Sequence, residues 1–425
     1  MSSWVTKSLP FLVAPAVASP TAALQLTSMD RALVSLPVSA MFVYENPIDR
    51  PAETIRRALS RALVPYYPMA GRLAVTGDQL KLACTGEGVA FVGASASCTL
   101  QDARLCDRRP VVSVEDLSIS YAGQYSEDPP LLLVQVTEFS CGGFVVGVTW
   151  NHVLTDGAGM AQFLKAVGEF ARGSPSPSVL PMRVDDTLSE LPPPITTMTK
   201  ALVSSKPRDM PSSYITVPLS FVDRIKGEFR RRSYGSGSGQ VSTCTAFDVF
   251  TAAIWKCRAR ATIGSAASPD APTALAFTVN VRKPAKAKDG YYGNVFAFGL
   301  AASTLREVAD GDILDLVTLV RDAKARVPFT FADGAAHIAD EMGGRLKGLD
   351  GYDTLYVTSW WNLGLDDVDF GSGGAERVIG CMERKVVPGC FLCGKKDKAE
   401  GVAAMALCVK QEHAEAFHAE LRSLK

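Results

Sequence analysis

The chain has 425 residues, and a single hydrophobic core rarely forms from a chain of this length. Its length therefore predicts two domains. Hydrophobic residues make up 47% and charged residues 21% of it, the proportions of an ordinary globular protein. Lys and Arg total 44, as do Asp and Glu, which leaves no excess positive charge for nucleic acid or an anionic membrane. With no apolar run of membrane-spanning length, we expect a cytoplasmic, monomeric protein that acts on small molecules.

The N-terminal third predicts an edge strand, a helix and two hairpins. The opening segment KSLPFLVAPAVAS looks in part like a secretory signal, but two prolines interrupt its apolar run, which favours an edge strand. A helix is predicted between Pro51 and Pro65, where apolar residues recur at helical spacing. Residues 71–96 alternate as a hairpin and a further strand, and residues 130–150 form a second hairpin with strands buried on both faces.

The composition changes after the next predicted helix, GMAQFLKAVGEFARG. Residues 174–212 are rich in Pro and Ser, which is typical of a crossing between domains. Beyond them strands and helices alternate, including a helix that begins at Thr243 or Thr245. The pattern predicts an α+β protein with domains at residues 1–185 and 213–425 and a linker at 186–212.

Several common motifs are incomplete. Gly389 to Lys395 resembles a P-loop, but Lys396 stands where Ser or Thr would hold magnesium. Cys390 and Cys393 have the C-x-x-C spacing, yet no second pair or nearby histidine completes a zinc site, which favours two buried thiols in a strand. The sequence also lacks H-E-x-x-H, so we expect no metal.

One of the chain's four histidines has a distinctive position. His152 ends the apolar run GGFVVGVTWN and is followed by Asp156, Gly157 and a predicted helix. An imidazole at the end of a strand suits proton removal at neutral pH, although a buried structural histidine beside a turn carboxylate would also fit. No serine or cysteine elbow is present, which favours direct attack by a second substrate. The other histidines, His337, His413 and His418, lie in segments predicted to be on the surface.

The segment from His152 to Gly157 resembles the HxxxDG signature of the plant BAHD acyltransferases. RALVPYYPMAGRL, FTVNVRKP, GYYGNVF and VTSWWNLGLDDVDFGSG resemble further motifs of that family, in the same order along nearly the whole chain. The last motif departs from the family at Ser372, where tryptophan is usual, which puts the local packing in question. The chain most resembles the branch that contains benzyl alcohol benzoyltransferases, taxane acetyltransferases and grass coumaroyl transferases.

The resemblance implies two chloramphenicol-acetyltransferase-like domains, each a mixed β-sheet flanked by helices, with a solvent channel between them. Acyl-CoA would be a co-substrate and no cofactor would be needed. The acyl group, benzoyl or hydroxycinnamoyl, would pass to an alcohol or to an amine such as a polyamine. His152 would be the general base in a ternary complex, without a covalent intermediate, and Asp156 would form a salt bridge with Arg282.

The resemblance also implies roles for other residues. Thr358 and Trp360 would line the acyl pocket near the oxyanion, while Thr245 and Ser242 would contact CoA. A structural role is implied for five residues, Gly157, Asn280, Arg282, Asp369 and Gly371. Two alternatives remain open: an acyl-CoA thioesterase in which His152 activates water, and a protein that binds acyl-CoA without turnover.

Overall fold

The computed structural model describes the chain except for residues 1–3, 35, 108–109, 122–127, 187, 189–207, 236–241, 267, 328–350, 384, 394–400 and 425. The strands are Val5–Lys7 (β1), Phe11–Val13 (β2), Ala23–Gln25 (β3), Pro37–Tyr44 (β4), Arg72–Thr76 (β5), Gln79–Ala83 (β6), Val89–Ala96 (β7), Leu132–Phe139 (β8), Phe144–Asn151 (β9), Ser213–Val217 (β10), Pro272–Asn280 (β11), Phe296–Thr304 (β12), Thr354–Ser359 (β13), Arg377–Met382 (β14), Gly389–Leu392 (β15) and Val402–Leu407 (β16). The helices are Ser28–Ala32 (α1), Pro51–Ala62 (α2), Leu100–Ala103 (α3), Gly157–Ala171 (α4), Leu219–Gly235 (α5), Ala246–Thr262 (α6), Leu305–Asp310 (α7), Ile313–Arg326 (α8) and Ala414–Arg422 (α9).

The first sheet has the order β1-β7-β8-β9-β4-β14, and β2 also pairs with β7. Strands β8 and β9 form the predicted hairpin at its centre, and their long apolar runs are buried along almost their whole length. Helices α2 and α4 pack on each other, and α2 also packs on β8. The N-terminal segment forms edge strands of this sheet, as predicted.

The second sheet has the order β10-β16-β15-β13-β11-β12 and mixes parallel with antiparallel pairs. Helix α6 is the centre of its helical layer, since α5, α7, α8 and α9 all pack against it. Thr245 caps α6 through a hydrogen bond to the N–H of Asp248, so Thr245 and not Thr243 begins the helix. A third, small sheet has the order β3-β6-β5.

One strand crosses from the C-terminal part of the chain into the first sheet. Strand β14 pairs with β4, so that Ile379 lies opposite Met41. Trp360 and Phe370 belong to the same hydrophobic cluster as Trp150 of β9. A division of the chain at residue 213 therefore does not separate the two sheets. Strand β14 follows that residue in the sequence but is hydrogen-bonded to β4 in the first sheet. Most of the predicted linker lies outside the described residues.

Among the described residues, no helix is long and apolar enough to cross a membrane.

Candidate active site

His152 directly follows β9, the strand at the centre of the first sheet. Its backbone N–H donates to the carbonyl oxygen of Leu36, just before β4, at 2.9 Å. Phe296 begins β12 in the second sheet, and its ring centroid is 5.9 Å from that of His152. The end of the buried strand thus places the imidazole where the two sheets meet.

Asn294 holds the imidazole from the other half of the chain. Its Oδ1 lies 3.0 Å from His152 Nδ1. Its Nδ2 donates to the carboxylate of Asp30 and to the carbonyl oxygen of His152 itself, both at 2.8 Å. Since both of these groups only accept hydrogen bonds, the amide oxygen faces the imidazole. Nδ1 of His152 therefore carries the hydrogen, and Nε2 keeps a free lone pair.

Burial lowers the pKa of His152 below its ordinary value, because an imidazolium would lose hydration at this position. The charge of Asp156 and the hydrogen bond with Asn294 oppose this effect in part. The imidazole is consequently neutral near pH 7, which is the form that accepts a proton.

Asp156 caps α4 and pairs with Arg282 instead of orienting the imidazole. Its carboxylate accepts the backbone N–H of Gly159 and of Val295, each at 3.0 Å. Arg282 donates from both terminal nitrogens to the two carboxylate oxygens, at 2.9 and 2.8 Å. The predicted salt bridge is therefore present, and it ties the start of α4 to the segment before β12.

Two glycines in the first turn of α4 lie close to neighbouring residues. A Cβ on Gly159 would collide with the carbonyl oxygen of Tyr292, and one on Gly157 would come within 2.9 Å of Leu363 Cδ1. Asn280 supports the facing segment, since its Oδ1 accepts the backbone N–H of Arg282 at 3.0 Å. Gly157 and Asn280 thus lie at the two sides of the junction between α4 and the segment that follows β11.

A cavity of about 620 Å³ lies between the two large sheets, and His152 forms part of its wall. This volume is within the usual range for small-molecule sites. The first sheet contributes residues such as Val38, and the second contributes residues such as Tyr356. Much of the remaining wall is aromatic, including Trp150, Phe277, Phe296, Phe298, Trp360 and Phe391.

Thr358 and Trp360, which were expected in the acyl pocket, both line this cavity. The Thr358 hydroxyl of β13 accepts a long hydrogen bond from the hydroxyl of Thr278, at 3.5 Å. The ring of Trp360 packs against Trp150 and Phe391, with centroid distances of 6.3 and 5.6 Å. A hydroxyl and an indole wall thus share one cavity with His152.

Two cations meet the start of α6 at the cavity. Lys324 of α8 donates to the hydroxyl of Thr245, at 3.3 Å, and to the buried carboxylate of Asp248. Arg321, about one turn earlier on α8, donates to the hydroxyl of Ser242. Thr245 and Lys324 line the cavity, whereas Ser242 and Arg321 are not among its lining residues. Positive side chains beside a helix N-terminus are suited to a phosphate group.

Asp369 and Gly371 lie in a loop that packs on the end of α4. The Asp369 carboxylate accepts the backbone N–H of Gly371 at 2.7 Å and pairs with Arg172 at 3.5 Å. Gly371 has a φ of 123°, a conformation that favours glycine. Ser372 belongs to this loop, and its carbonyl oxygen accepts from Asn46 Nδ2 at 3.4 Å. The structure therefore places Asp369 and Gly371 in a loop that is bonded to the end of α4.

Sequence reasoning gave no role to Asn294, although it lies in the GYYGNVF motif, or to Asp30. The spacing of Thr27 and Asp30 is typical of a helix capping box, which the structure contains. That spacing did not indicate that the Asp30 side chain is buried near His152. His413 is partly exposed: its side chain is 13% exposed and contacts the exposed Glu412. His337 lies outside the described residues.

The C-x-x-C pair forms no metal centre within the part of the chain that the structure describes. Cys390 and Cys393 are both buried at β15, as predicted, and all ten cysteines are free thiols. No group of three or more His, Cys, Asp or Glu side chains in the described residues is placed to hold a metal ion.

Comparison with known families decides the class of protein. The model of the family described as "Transferase family" matches residues 4–424. The chain belongs to this family. The resemblance to the BAHD acyltransferases is thereby confirmed, and the protein is an acyltransferase.

Three related proteins are similar to this acyltransferase along nearly its whole length. Acyl transferase 15 of Oryza sativa subsp. japonica is 40% identical, over 100% of this chain and 99% of that protein. Myricetin 3-O-glucosyl 1,2-rhamnoside 6'-O-caffeoyltransferase AT1 of Crocosmia x crocosmiiflora is 31% identical, over 99% of each. Benzyl alcohol O-benzoyltransferase of Petunia hybrida is also 31% identical, over 99% of this chain and 93% of that one.

Solved structures confirm the expected two-domain α+β fold of the acyltransferase. Vinorine synthase matches with a TM-score of 0.72 at 22% identity, over 99% of this chain and 98% of that one. TRI101 of F. sporotrichioides, solved in complex with coenzyme A and T-2, matches with a TM-score of 0.69 at 15% identity, over 92% and 96%.

Proposed function

We propose that this acyltransferase moves an aromatic acyl group, benzoyl or hydroxycinnamoyl, from a CoA thioester to a hydroxyl group of a small acceptor. The observation that carries the proposal is the position of His152, whose Nδ1 is held by Asn294 and whose side chain lies in the wall of a cavity lined in part by aromatic side chains. Aromatic walls favour flat, apolar acyl groups. The names of two relatives describe transfer of caffeoyl and benzoyl groups to oxygen, which favours a hydroxyl over an amine acceptor.

His152 Nε2 would take the proton of the acceptor hydroxyl as its oxygen attacks the thioester carbonyl. A new C–O bond forms and the carbonyl oxygen becomes an oxyanion. The intermediate then collapses, the C–S bond breaks, and the CoA thiolate takes the proton from the imidazolium. Asn294 Oδ1 supports this cycle, because it accepts from Nδ1–H while Nε2 gains and loses the proton.

Thr358 is proposed as a donor to the oxyanion, and Trp360 as a wall of the acyl pocket. The hydroxyl of Thr358 lies on β13 at the cavity, and it is held there by a long hydrogen bond with Thr278. A donor that is weakly engaged in the free protein can turn towards charge that develops during the reaction.

CoA is proposed to lie with its phosphates at the start of α6. Arg321 and Lys324 supply positive charge there, and Thr245 and Ser242 supply hydroxyl groups. The thioester would then reach His152 through the cavity that Thr245 and His152 both line.

We also propose that the protein is a cytoplasmic monomer with domains at residues 1–185 and 213–425. The second domain contributes β14 to the sheet of the first. Ten free cysteines are typical of a reducing compartment. One chain supplies both sides of the cavity, so a second copy is not needed to build it.

The experiment supplies benzoyl-, coumaroyl-, feruloyl- and acetyl-CoA, each with benzyl alcohol, a hydroxycinnamyl alcohol or spermidine. We expect acceptor-dependent release of CoA thiol with an aromatic donor and an alcohol, and an ester of the corresponding mass. His152→Ala should lower kcat by about 10²-fold or more, since a positioned base contributes about that much. A His152→Ala variant with the wild-type kcat would contradict the role of His152. A product formed only with spermidine would show that the acceptor group is an amine and not a hydroxyl.

A further inference from the structure

Asp30 is a fully buried carboxylate beside the site. It belongs to α1, where its Oδ2 accepts the backbone N–H of Thr27 at 3.0 Å. The same oxygen accepts from Arg183 Nη2 at 2.9 Å, and Oδ1 accepts from Asn294 Nδ2 at 2.8 Å. A helix of this length needs a cap but not a buried ion pair, so the contacts with Arg183 and Asn294 require another explanation.

Arg183 is buried as well, and its other donors hold the backbone of the His152 loop. Its Nε donates to the carbonyl oxygen of Leu154 at 3.1 Å, and its Nη2 to that of Val153 at 3.0 Å. A buried ion pair is weak evidence of stability, because desolvation offsets much of the attraction. Here both partners reach the catalytic loop, Asp30 through Asn294 and Arg183 directly, which indicates a positioning role.

We propose that the Asp30–Arg183 ion pair fixes the tautomer of His152 through Asn294, and so makes Nε2 the base. An asparagine amide can turn over with little change of shape, whereas an ionised carboxylate can only accept. Asp30 and the carbonyl oxygen of His152 together accept from the NH₂ group of Asn294, and so keep its amide oxygen towards Nδ1–H. The reverse orientation would donate to Nδ1 and move the hydrogen to Nε2, where it blocks proton removal. This role rests on the proposed function.

The charges around His152 are arranged in pairs. The charged and titratable groups come from several segments: Asp30 on α1, Asp156 at the start of α4, Arg183, and Arg282 and Tyr291 before β12. Asp30 pairs with Arg183 and Asp156 with Arg282, so their charges balance. Burial raises the pKa of Tyr291 to about 12, which keeps it neutral. The guanidinium of Arg183 thus lies against the Asp30 carboxylate, 2.9 Å from its Oδ2, beside the imidazole.

The first test is the ¹⁵N NMR spectrum of the histidine rings at neutral pH. The chain has four histidines, and the signals missing from His152→Ala assign the ring in question. We expect wild-type His152 to be the Nδ1–H tautomer. In the double variant Asp30→Asn/Arg183→Gln a substantial fraction should become Nε2–H. The double variant carries the test because Asp30→Asn alone would leave a buried arginine unpaired, and the glutamine that replaces Arg183 can still donate to the loop carbonyls.

The second test is the kinetics of the same double variant. We expect kcat to fall in proportion to the fraction of His152 that leaves the Nδ1–H tautomer, with the KM values for donor and acceptor changed little. Asp185→Asn is the matched control, because Asp185 is another buried carboxylate and its partner is Lys288, at 3.3 Å. The control should keep the wild-type kcat and the Nδ1–H tautomer, even where its melting temperature falls.

Two results would overturn the inference. One is a wild-type His152 that is already Nε2–H, and the other is a folded double variant that retains both the Nδ1–H tautomer and the wild-type kcat. The spectrum needs no substrate, so a failure of the proposed acyl transfer would leave the tautomer result readable, and the two failures are distinguishable.

Discussion

At the scale of the residue, the proposed chemistry depends on a lone pair at Nε2 of His152. The family resemblance predicted His152 as the base and Asp156 as the partner of Arg282, and the structure contains that ion pair. Asn294 was not predictable as its partner, because the two residues are 142 positions apart and no periodicity links them. Contacts between distant turns are set by how the sheets meet, which local patterns do not encode.

The lowered pKa of His152 makes a prediction about pH. Protonation removes the base, so kcat/KM should be level near pH 7 and fall about tenfold per unit below the pKa of His152, which itself lies below the ordinary value of about 6.5. Asn294→Ala removes a bond that raises this pKa, so its acid limb should move to still lower pH, at reduced kcat.

The measurement is kcat/KM from about pH 4.5 to 8.5, with the folded fraction followed by circular dichroism. This control is needed because the unfolded chain binds a proton at His152 more readily than the native protein does. Stability from this group is therefore lost as pH falls below about 6.5. An acid limb at or above pH 6.5 in folded protein would contradict the burial of the base.

At the scale of the element, the start of α4 is one place where the N-terminal and C-terminal halves of the chain are bonded to each other. Periodicity and turn residues predicted α2, α4 and the β8–β9 hairpin, since each depends on neighbours in sequence. They did not predict that β14 completes the first sheet, because partner choice across the chain depends on the completed core. Asp156 combines both kinds of contact: a local helix cap and a distant bond to Arg282.

Asp156→Asn should therefore cost stability as well as activity. It removes the charge opposite Arg282, whose side chain is 21% exposed, so the loss should be near the lower end for a broken buried pair, about 3 kcal/mol. Asp367→Asn is the control, because it breaks the exposed pair with Lys165 on the same helix and should cost under about 1 kcal/mol. Urea unfolding measures the free energy of unfolding of both variants. Equal losses of stability would show that the Asp156–Arg282 pair does not stabilise the contact between the two halves of the chain.

At the scale of the whole molecule, two mixed sheets enclose one aromatic cavity with the base in its wall. The sequence motifs predicted this architecture through the family resemblance. The lining of the cavity could not be read in the same way, since its aromatic residues come from both sheets and lie in strands that look like ordinary core. In the proposed reaction both substrates would meet at His152 in this cavity, and no acyl-enzyme would form.

The most direct measurement follows one turnover of the purified protein with its best aromatic acyl-CoA, first without and then with the acceptor alcohol. Free CoA thiol and the intact mass of the protein are recorded together. Without acceptor we predict no thiol release and no change in protein mass. With acceptor, we predict thiol and ester in equal amounts. A protein mass increased by the acyl group, or release of free acid without acceptor, would contradict direct transfer by His152.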